Sequence, residues 1–206
     1  MIKLFVFDLG NVILPFEHGQ IAEKLYETSR IQDRFIPADM FRYMFDRDRG
    51  LVNPYEEGLM SSIDFFAKLR ERYKLDLDFE EFKDIWNLIF SENTEVNDLI
   101  LFLKKEGYPL YLLSNTNELH FSYIIERYPI VHSLDEWILS YEVGAKKPKQ
   151  KIYDIIFEKN KDVKRGEVLY IDDIPEYVEA AKGFGLQGLV FKDAKDVWEL
   201  IRENSI

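Results

Sequence analysis

Three carboxylates in this chain stand where short apolar runs end. Asp8 follows the run LFVF near the start of the sequence, and Asp172 follows the run VLYI, with Asp173 directly after it. In open parallel sheets the carboxyl ends of the strands meet at one edge, where ligands bind. Carboxylates brought together there repel one another, and a divalent cation relieves that repulsion. The chain has no cysteine and no clustered histidines, so oxygen donors favour a hard ion, with Mg²⁺ the first choice.

A hydroxyl, an amide and an amine are predicted to lie at the same edge. Ser114 and Asn115 end the run LYLL, and Lys147 stands directly before Pro148, which opens a helical pattern. Each group alone has an ordinary explanation, such as a turn or a surface lysine. Around a bound phosphate, the negative charges of the three carboxylates would nearly balance the positive charges of a divalent metal ion and Lys147. Such a site favours phosphoryl transfer, in which catalysis is mostly positioning and charge stabilisation.

The elements that must position these groups alternate between strands and helices. Strand-like runs cover residues 3–8, 108–114, 137–140, 168–172 and 187–191. Helical patterns cover residues 95–106 and 149–159, and another runs from Pro175 to near Gly185. This order predicts an α/β fold with a Rossmann-like three-layer core, in which crossover helices cover both faces of a parallel sheet.

Residues 15–95 interrupt this alternation. They show helical patterns alone, at residues 18–29, 37–45, 55–73 and 79–90. The stretch at 55–73 is interpreted as two pieces, and Asp78 with Glu81 forms a capping box for the last helix. We therefore expect a helical domain inserted after the first strand, with a core made of residues 1–14 and 96–206.

Composition limits the class of protein. The chain has 206 residues, of which 47% are apolar, enough for a sizeable buried core. Its formal net charge of −11 argues against nucleic acid or an anionic membrane surface as a partner, since both require a basic face. Disulfides are excluded, and no apolar run approaches the length of a membrane span. A cytoplasmic location is expected, and the oligomeric state stays open.

Four segments, taken in order, give a family resemblance. They are the FDLGNV segment around Asp8, the LLSNTN segment around Ser114, Lys147-Pro148 followed by Ile152-Tyr153, and the YIDD segment that ends at Asp173. Over nearly the whole chain they resemble the motifs of the haloacid dehalogenase-like (HAD) superfamily, and within it the small-sugar phosphatases of the glucose-1-phosphatase type. The resemblance implies a magnesium-dependent phosphatase with a small helical cap of the C1 type. Its substrate would be a small soluble phosphate monoester, such as glucose 1-phosphate.

The resemblance also implies a role for each group. Asp8 would attack phosphorus and form an aspartyl-phosphate. The metal ligands would be Asp8, the backbone carbonyl of Gly10, Asp173 and, nearby or through water, Asp172. Ser114 and the amide of Asn115 would bind phosphate oxygens, and Lys147 would orient Asp8 and offset its charge.

One position departs from the family pattern. Most phosphatases of this superfamily carry an acid–base aspartate two residues after the nucleophile, where this chain has Gly10. General acid–base help is worth about 10²- to 10⁴-fold in rate, and a sugar 1-phosphate, as a better leaving group, needs less of it. Glu17 and His18, on the chain that enters the insert, are candidate substitutes close to the substrate. The alternative interpretation is a solvated pair of loop residues.

The insert selects the substrate in the resembling family. Arg49, beside Gly50 in a turn between inserted helices, is a candidate substrate contact, with a surface arginine as the alternative. Three other functions stay open at this point: a 2-haloacid dehalogenase that uses Asp8 on carbon without a metal, a sugar phosphomutase, and a binding or regulatory protein with little turnover. The sequence names neither the substrate nor the pathway.

Overall fold

The centre of the fold is a parallel β-sheet. A computed structural model describes residues 1–203. Its strands are β1 (Leu4–Phe7), β2 (Leu110–Ser114), β3 (Glu136–Leu139), β4 (Val168–Asp172) and β5 (Gln187–Val190). They lie in the order β3-β2-β1-β4-β5, and every pair is parallel. Because β1 lies between β2 and β4, the residues that follow these three strands emerge side by side at one edge of the sheet.

The α-helices fall into two groups along the chain. Between β1 and β2 lie α1 (Gly19–Glu27), α2 (Pro37–Phe45), α3 (Val52–Glu56), α4 (Ser62–Tyr73), α5 (Phe79–Asn87) and α6 (Thr94–Lys105). After β2 come α7 (Glu118–Arg127), α8 (Ser140–Val143), α9 (Gln150–Lys159), α10 (Pro175–Gly183) and α11 (Ala194–Glu203). Within residues 1–203, none of these helices combines the length and the hydropathy that crossing a membrane requires.

The side chains of β1 alternate between two hydrophobic clusters, one on each face of the sheet. Phe5 and Phe7 are buried with side chains of α6, α7 and α11, while Leu4 and Val6 are buried with side chains of α9 and α10. A strand that is buried on both faces needs an unbroken apolar run, which explains the sequence LFVF. The core therefore has three layers, with helices on both sides of the sheet.

Helices α1–α5 share a hydrophobic cluster of their own. Phe65 of α4 stacks on Tyr55 of α3 with ring centroids 4.6 Å apart, and it meets Trp86 of α5 edge-on at 4.8 Å. Phe65, Phe82 and Trp86 are fully buried. Aromatic pairs of this kind add about 0.5–1.5 kcal/mol beyond the burial of their area. The many aromatic residues of this stretch are therefore explained by packing.

A buried polar group joins α5 to α7. The Asn117 amide oxygen accepts a hydrogen bond from the Trp86 indole at 3.3 Å, and Asn117 Nδ2 lies 3.1 Å from His120 Nδ1. His120 Nε2 lies 2.9 Å from the backbone oxygen of Trp86. Both contacts are satisfied when Nε2 carries the proton and Nδ1 accepts, so the ring is neutral and held in one tautomer. Burial lowers the pKa of His120 from 6.5 to about 3.

The sequence predictions for the core are confirmed in type and order. Each strand-like run matches an observed strand within two residues, while residues 55–73 contain α4 and only the last two residues of α3, which begins three residues earlier than predicted. The capping box is present, with the Glu81 N–H donating to Asp78 at 2.9 Å. Helix α7 was not predicted, because Asn117 and His120, which are buried at its start, are polar. The division into residues 15–95 and a core of 1–14 and 96–206 stays a prediction.

The free energy of unfolding is predicted to fall as the pH is lowered past the point at which the unfolded chain protonates His120. Below about pH 6.5 the unfolded state binds a proton that the folded state does not accept until about pH 3. This imidazole contributes about 2 kcal/mol of the loss between about pH 7.5 and pH 5. Urea unfolding over that range is expected to show a shallower pH dependence for His120→Gln than for the wild type. His132→Gln, at an exposed histidine, is the control. Equal slopes for His120→Gln and the wild type would contradict a neutral, buried His120.

Candidate active site

The register of β1 and β4 brings the three carboxylates together. Phe7 pairs with Ile171 in this register. The backbone N–H of Asp8 donates to the Ile171 carbonyl at 2.8 Å, so Asp8 and Asp172 leave the sheet side by side. With Asp173, these residues offer carboxylate oxygens that all lie within 4.8 Å of one another. Like charges at this separation require a nearby cation.

Lys147 is buried between two of these carboxylates. Its ammonium nitrogen lies 2.7 Å from Asp8 Oδ1 and 2.7 Å from Asp172 Oδ2. It also donates to the backbone oxygen of Leu113 at 3.3 Å. The lysine side chain is 1% exposed. Its three ammonium protons therefore have three partners within the protein.

Asp172 holds the lysine in place. Its Oδ2 accepts a hydrogen bond from the Tyr170 hydroxyl as well as from Lys147. Its Oδ1 accepts a hydrogen bond from the backbone N–H of Ile174 at 2.8 Å. Both carboxylate oxygens of Asp172 thus have hydrogen-bond partners inside the protein. This indicates that Asp172 mainly positions Lys147, and that direct contact with a ligand is secondary.

Asp173 and Asp8 have more capacity for a ligand. Asp173 is partly exposed, and its Oδ2 accepts a long hydrogen bond from the Asn11 amide at 3.3 Å. Asp8 contacts Lys147 through one oxygen, which leaves its second oxygen for another partner. These donors are hard carboxylate oxygens of the kind that Mg²⁺ prefers. The donor set therefore fits a hard divalent cation.

Burial dominates the electrostatics of this group. It raises the pKa of Asp8 from 3.8 to about 7, although Lys147 opposes the shift. The nearby charges of Asp172 and Asp173 add to the rise. Burial also raises the pKa of Asp173. Burial by itself lowers the pKa of Lys147, but attraction to Asp8 and Asp172 outweighs it, so the balance raises that pKa. A bound divalent cation would supply the positive charge that keeps the carboxylates ionised.

Asn115 fixes the backbone that carries Lys147. Its Oδ1 accepts a hydrogen bond from the Lys147 N–H at 2.8 Å, and its Nδ2 donates to the Lys147 carbonyl at 3.2 Å. The residue follows β2, while Lys147 follows α8, so these two hydrogen bonds tie two loops together at the edge of the sheet. Ser114, the last residue of β2, is buried beside Asn115.

Phe16 occupies the space beside Gly10. A Cβ atom on Gly10 would lie 2.5 Å from Phe16 Cε1, so no side chain fits there unless the ring moves. The imidazole of His18 packs against Phe16 and against Phe45, with ring centroids 4.4 Å apart in both contacts. Burial lowers the pKa of His18 from 6.5 to about 4, so this imidazole is neutral near pH 7.

A cavity of about 820 Å³ opens in front of these groups. The predicted site residues that line it are Asp8, Gly10, His18, Asn115, Lys147 and Asp173. Ser114 and Asp172 are buried behind this lining, with 2% and 0% of their surface exposed. Glu17 and Arg49 are exposed and lie outside the lining, so the substrate contacts suggested for them stay predictions without support from the cavity.

Further polar side chains line the cavity, among them several that the sequence patterns did not select. Asn53 and Glu56 lie about one turn apart on α3, Lys146 follows α8, and Arg47 lies in the turn after α2. The three-residue spacing of Asn53 and Glu56 places them on one face of a helix. The sequence carries no signal for which face meets the cavity, because that depends on how α3 packs.

The comparison with known sequences decides the family. A family model described as a haloacid dehalogenase-like hydrolase matches residues 2–185. The chain belongs to this family. It is 30% identical, over 194 residues, to the D-ribitol-5-phosphate phosphatase of Bacteroides thetaiotaomicron, a match that covers 91% of this chain and 90% of that protein. The superfamily expected from the motifs is confirmed, while the glucose-1-phosphatase-like branch stays a prediction.

Solved structures of HAD proteins share the fold. A HAD family enzyme of B. thetaiotaomicron, in complex with magnesium and inorganic phosphate, has a TM-score of 0.80 at 25% identity, covering 93% of this chain and 95% of that chain. A HAD-like family hydrolase from Porphyromonas gingivalis has a TM-score of 0.79 at 23% identity, covering 100% and 98% of the two chains. The second likeness concerns the fold alone.

Lys147→Met is predicted to lower the free energy of unfolding by about 3–5 kcal/mol, because it leaves buried Asp8 and Asp172 without their cation. Lys182→Met is the control, since Lys182 forms an exposed pair with Glu179, and such pairs contribute about 1 kcal/mol or less. Urea unfolding of both variants in the presence of EDTA makes the comparison. If Lys147→Met lost no more stability than Lys182→Met, the lysine would not be the buried counter-charge.

Proposed function

We propose that this protein is a magnesium-dependent phosphatase that hydrolyses a small soluble phosphate monoester through an aspartyl-phosphate. The observation that carries the proposal is buried Lys147, 2.7 Å from both Asp8 and Asp172 at the cavity. A lysine so placed keeps Asp8 oriented and supplies the positive charge that a carboxylate nucleophile needs near a phosphate. The D-ribitol-5-phosphate phosphatase relative and the HAD structure with magnesium and phosphate support the same activity.

Magnesium is the cofactor that suits the donor set. Asp8 and Asp173 would supply carboxylate oxygens, and Gly10 would supply its backbone carbonyl. Asp172 would act through Lys147 or through water. Mg²⁺ typically binds one or two carboxylates together with substrate phosphate. When bound, the ion offsets negative charge on the transferred phosphoryl group.

The residues of the site account for two successive transfers of the phosphoryl group, first to Asp8 and then to water. Asp8 attacks phosphorus, the bond from phosphorus to the leaving-group oxygen breaks, and the carboxylate carries the phosphoryl group. Lys147 holds Asp8 in position and offsets negative charge as the transition state forms. The backbone N–H of Asn115, which lines the cavity, would hold a phosphate oxygen, and the Ser114 hydroxyl, buried next to it, would support this contact. Water then attacks the phosphorus atom, which releases phosphate and restores the Asp8 carboxylate.

The proton transfers need a group other than residue 10, since Phe16 fills the space beside Gly10. His18 is a titratable side chain that lines the cavity and packs against Phe16. Its imidazole is neutral near pH 7 and can accept a hydrogen bond from the attacking water or from a substrate hydroxyl, while the lowered pKa makes it a weak base. A sugar 1-phosphate would need the least help at the leaving group, and a sugar-alcohol phosphate would need more.

The helices α1–α5, within residues 15–95, would act as a cap on a core of residues 1–14 and 96–206. They share their own hydrophobic cluster, which would let them move as one body. Arg47, Asn53 and Glu56 come from this part of the chain and line the cavity. Closure would exclude water from the first transfer, and opening would admit the water needed for the second.

Asp8→Asn is predicted to lower kcat by about 10³-fold or more, because an amide cannot form the phosphorylated intermediate. EDTA is predicted to abolish turnover, and added Mg²⁺ to restore it. Hydrolysis of 4-nitrophenyl phosphate by the purified protein measures both effects. Asp162→Asn, in an exposed turn away from the cavity, is the control. Full activity of Asp8→Asn would rule out the covalent route, and full activity in EDTA would rule out the metal.

A further inference from the structure

Every lysine and arginine side chain that lines the cavity within residues 1–203 is paired with a carboxylate. Besides Lys147, the pairs are Lys146–Glu56, Lys149–Glu57 and Arg47–Glu176. Apart from Asp8, Asp173 and Lys147, the lining holds these three basic side chains and four acidic ones, the fourth being Asp48. Together these seven side chains present no excess positive charge to a ligand.

The pair of Lys146 and Glu56 differs from the other two in burial. Its side chains are 16% and 15% exposed, whereas those of Lys149 and Arg47 are 60% and 74% exposed. Lys146 Nζ lies 2.5 Å from Glu56 Oε2 and donates to Asn53 Oδ1 at 2.8 Å. Asn53 is itself held, because its Nδ2 donates to two backbone carbonyls at 3.1 and 3.0 Å. The geometry of this pair is therefore fixed before a ligand arrives.

These contacts leave a donor and an acceptor side by side. The Lys146 ammonium has three protons, and Glu56 and Asn53 take two of them. Glu56 meets Lys146 through Oε2, which leaves Oε1 for a further partner. A hydroxyl accepts one hydrogen bond and donates another, so it matches an ammonium proton next to a carboxylate oxygen. Because the two charges cancel, the pair gives little net attraction to an anionic group.

We propose that Lys146 and Glu56 select the substrate by binding a hydroxyl of its leaving group. The inference rests on the proposed phosphatase function and narrows it to monoesters whose leaving group is neutral and polyhydroxylated. Lys146 directly precedes Lys147, and both line the same cavity, so a ligand in this cavity is within the same enclosure as the pair and the group around Asp8. A substrate with a second phosphate or a carboxylate would meet paired cations and additional carboxylates, and is rejected.

The test compares glycerol 3-phosphate with 3-phosphoglycerate, which differ in having a hydroxymethyl group or a carboxylate at one end. The wild type is expected to prefer glycerol 3-phosphate in kcat/KM. Glu56→Gln leaves Lys146 with an uncompensated charge, and is expected to shift the preference toward 3-phosphoglycerate by about 10- to 100-fold, mainly through KM. Lys146→Met leaves Glu56 with an uncompensated charge, and is expected to shift the preference in the opposite direction.

Glu179→Gln is the matched control. It removes one carboxylate of the exposed pair with Lys182, outside the lining of the cavity, and is expected to keep the wild-type preference. Unchanged preferences in Glu56→Gln and Lys146→Met, or shifts in the same direction in both, would overturn the assignment. Thermal unfolding checks that each variant is folded. If one variant is unfolded, the direction in which the other shifts the substrate preference decides whether the assignment holds.

Hydrolysis of 4-nitrophenyl phosphate with Mg²⁺ separates the two levels of the proposal. This substrate has no hydroxyl on its leaving group. If the wild type hydrolyses none of the three esters (4-nitrophenyl phosphate, glycerol 3-phosphate and 3-phosphoglycerate), the proposed phosphatase function is itself wrong. If the wild type hydrolyses these esters but the two variants keep its preference, only the selection by Lys146 and Glu56 fails.

Discussion

A buried ammonium group lies between two buried carboxylates, and the chemistry of the site follows from that contact. Without Lys147, the parallel register of β1 and β4 would bring Asp8 and Asp172 together as like charges in a poorly solvated place. Without the carboxylates, the lysine would lose its proton more readily on burial. Each charge is therefore acceptable only because the others are present. Tyr170 and Asn115 hold the two ends of this arrangement, at the carboxylate and at the lysine backbone.

Charge is distributed differently along the cavity. At the Asp8 end, carboxylates outnumber the lysine, which is the arrangement that suits a dication and a phosphate together. The other lysine and arginine side chains of the lining are neutralised pairwise, which suits a leaving group that carries hydroxyls and no charge. The same pairs connect residues 47–57 to residues 146–176, so contacts that set the charge of the cavity also bind α3 to the loops at the edge of the sheet.

The exchange of an acid–base aspartate for Gly10 is matched by its surroundings. Phe16 fills the space that a side chain at residue 10 would occupy, and His18 packs against Phe16 at the cavity. The space beside Gly10 is therefore occupied by the Phe16 ring and is not left for water. Phe16 and His18 lie on the segment that leads from the core into helix α1.

The sequence by itself determined the order of the elements and the positions at which the central strands end. A parallel strand buried on both faces must be continuously apolar, so its last residue is marked by the first polar one, and this located Asp8, Ser114 and Asp172. Lys147 was located by a different signal, since it directly precedes Pro148, which opens a helical pattern. Local pattern could not choose between Glu17 and His18, and it favoured Arg49 although Arg47 lines the cavity, because neighbouring polar residues look alike until packing turns one inward. Lys146 and Glu56 are 90 residues apart, and Phe16 reaches Gly10 only because the chain folds back. Such contacts are set by how α3 and the strand loops meet, so only the tertiary structure decided them.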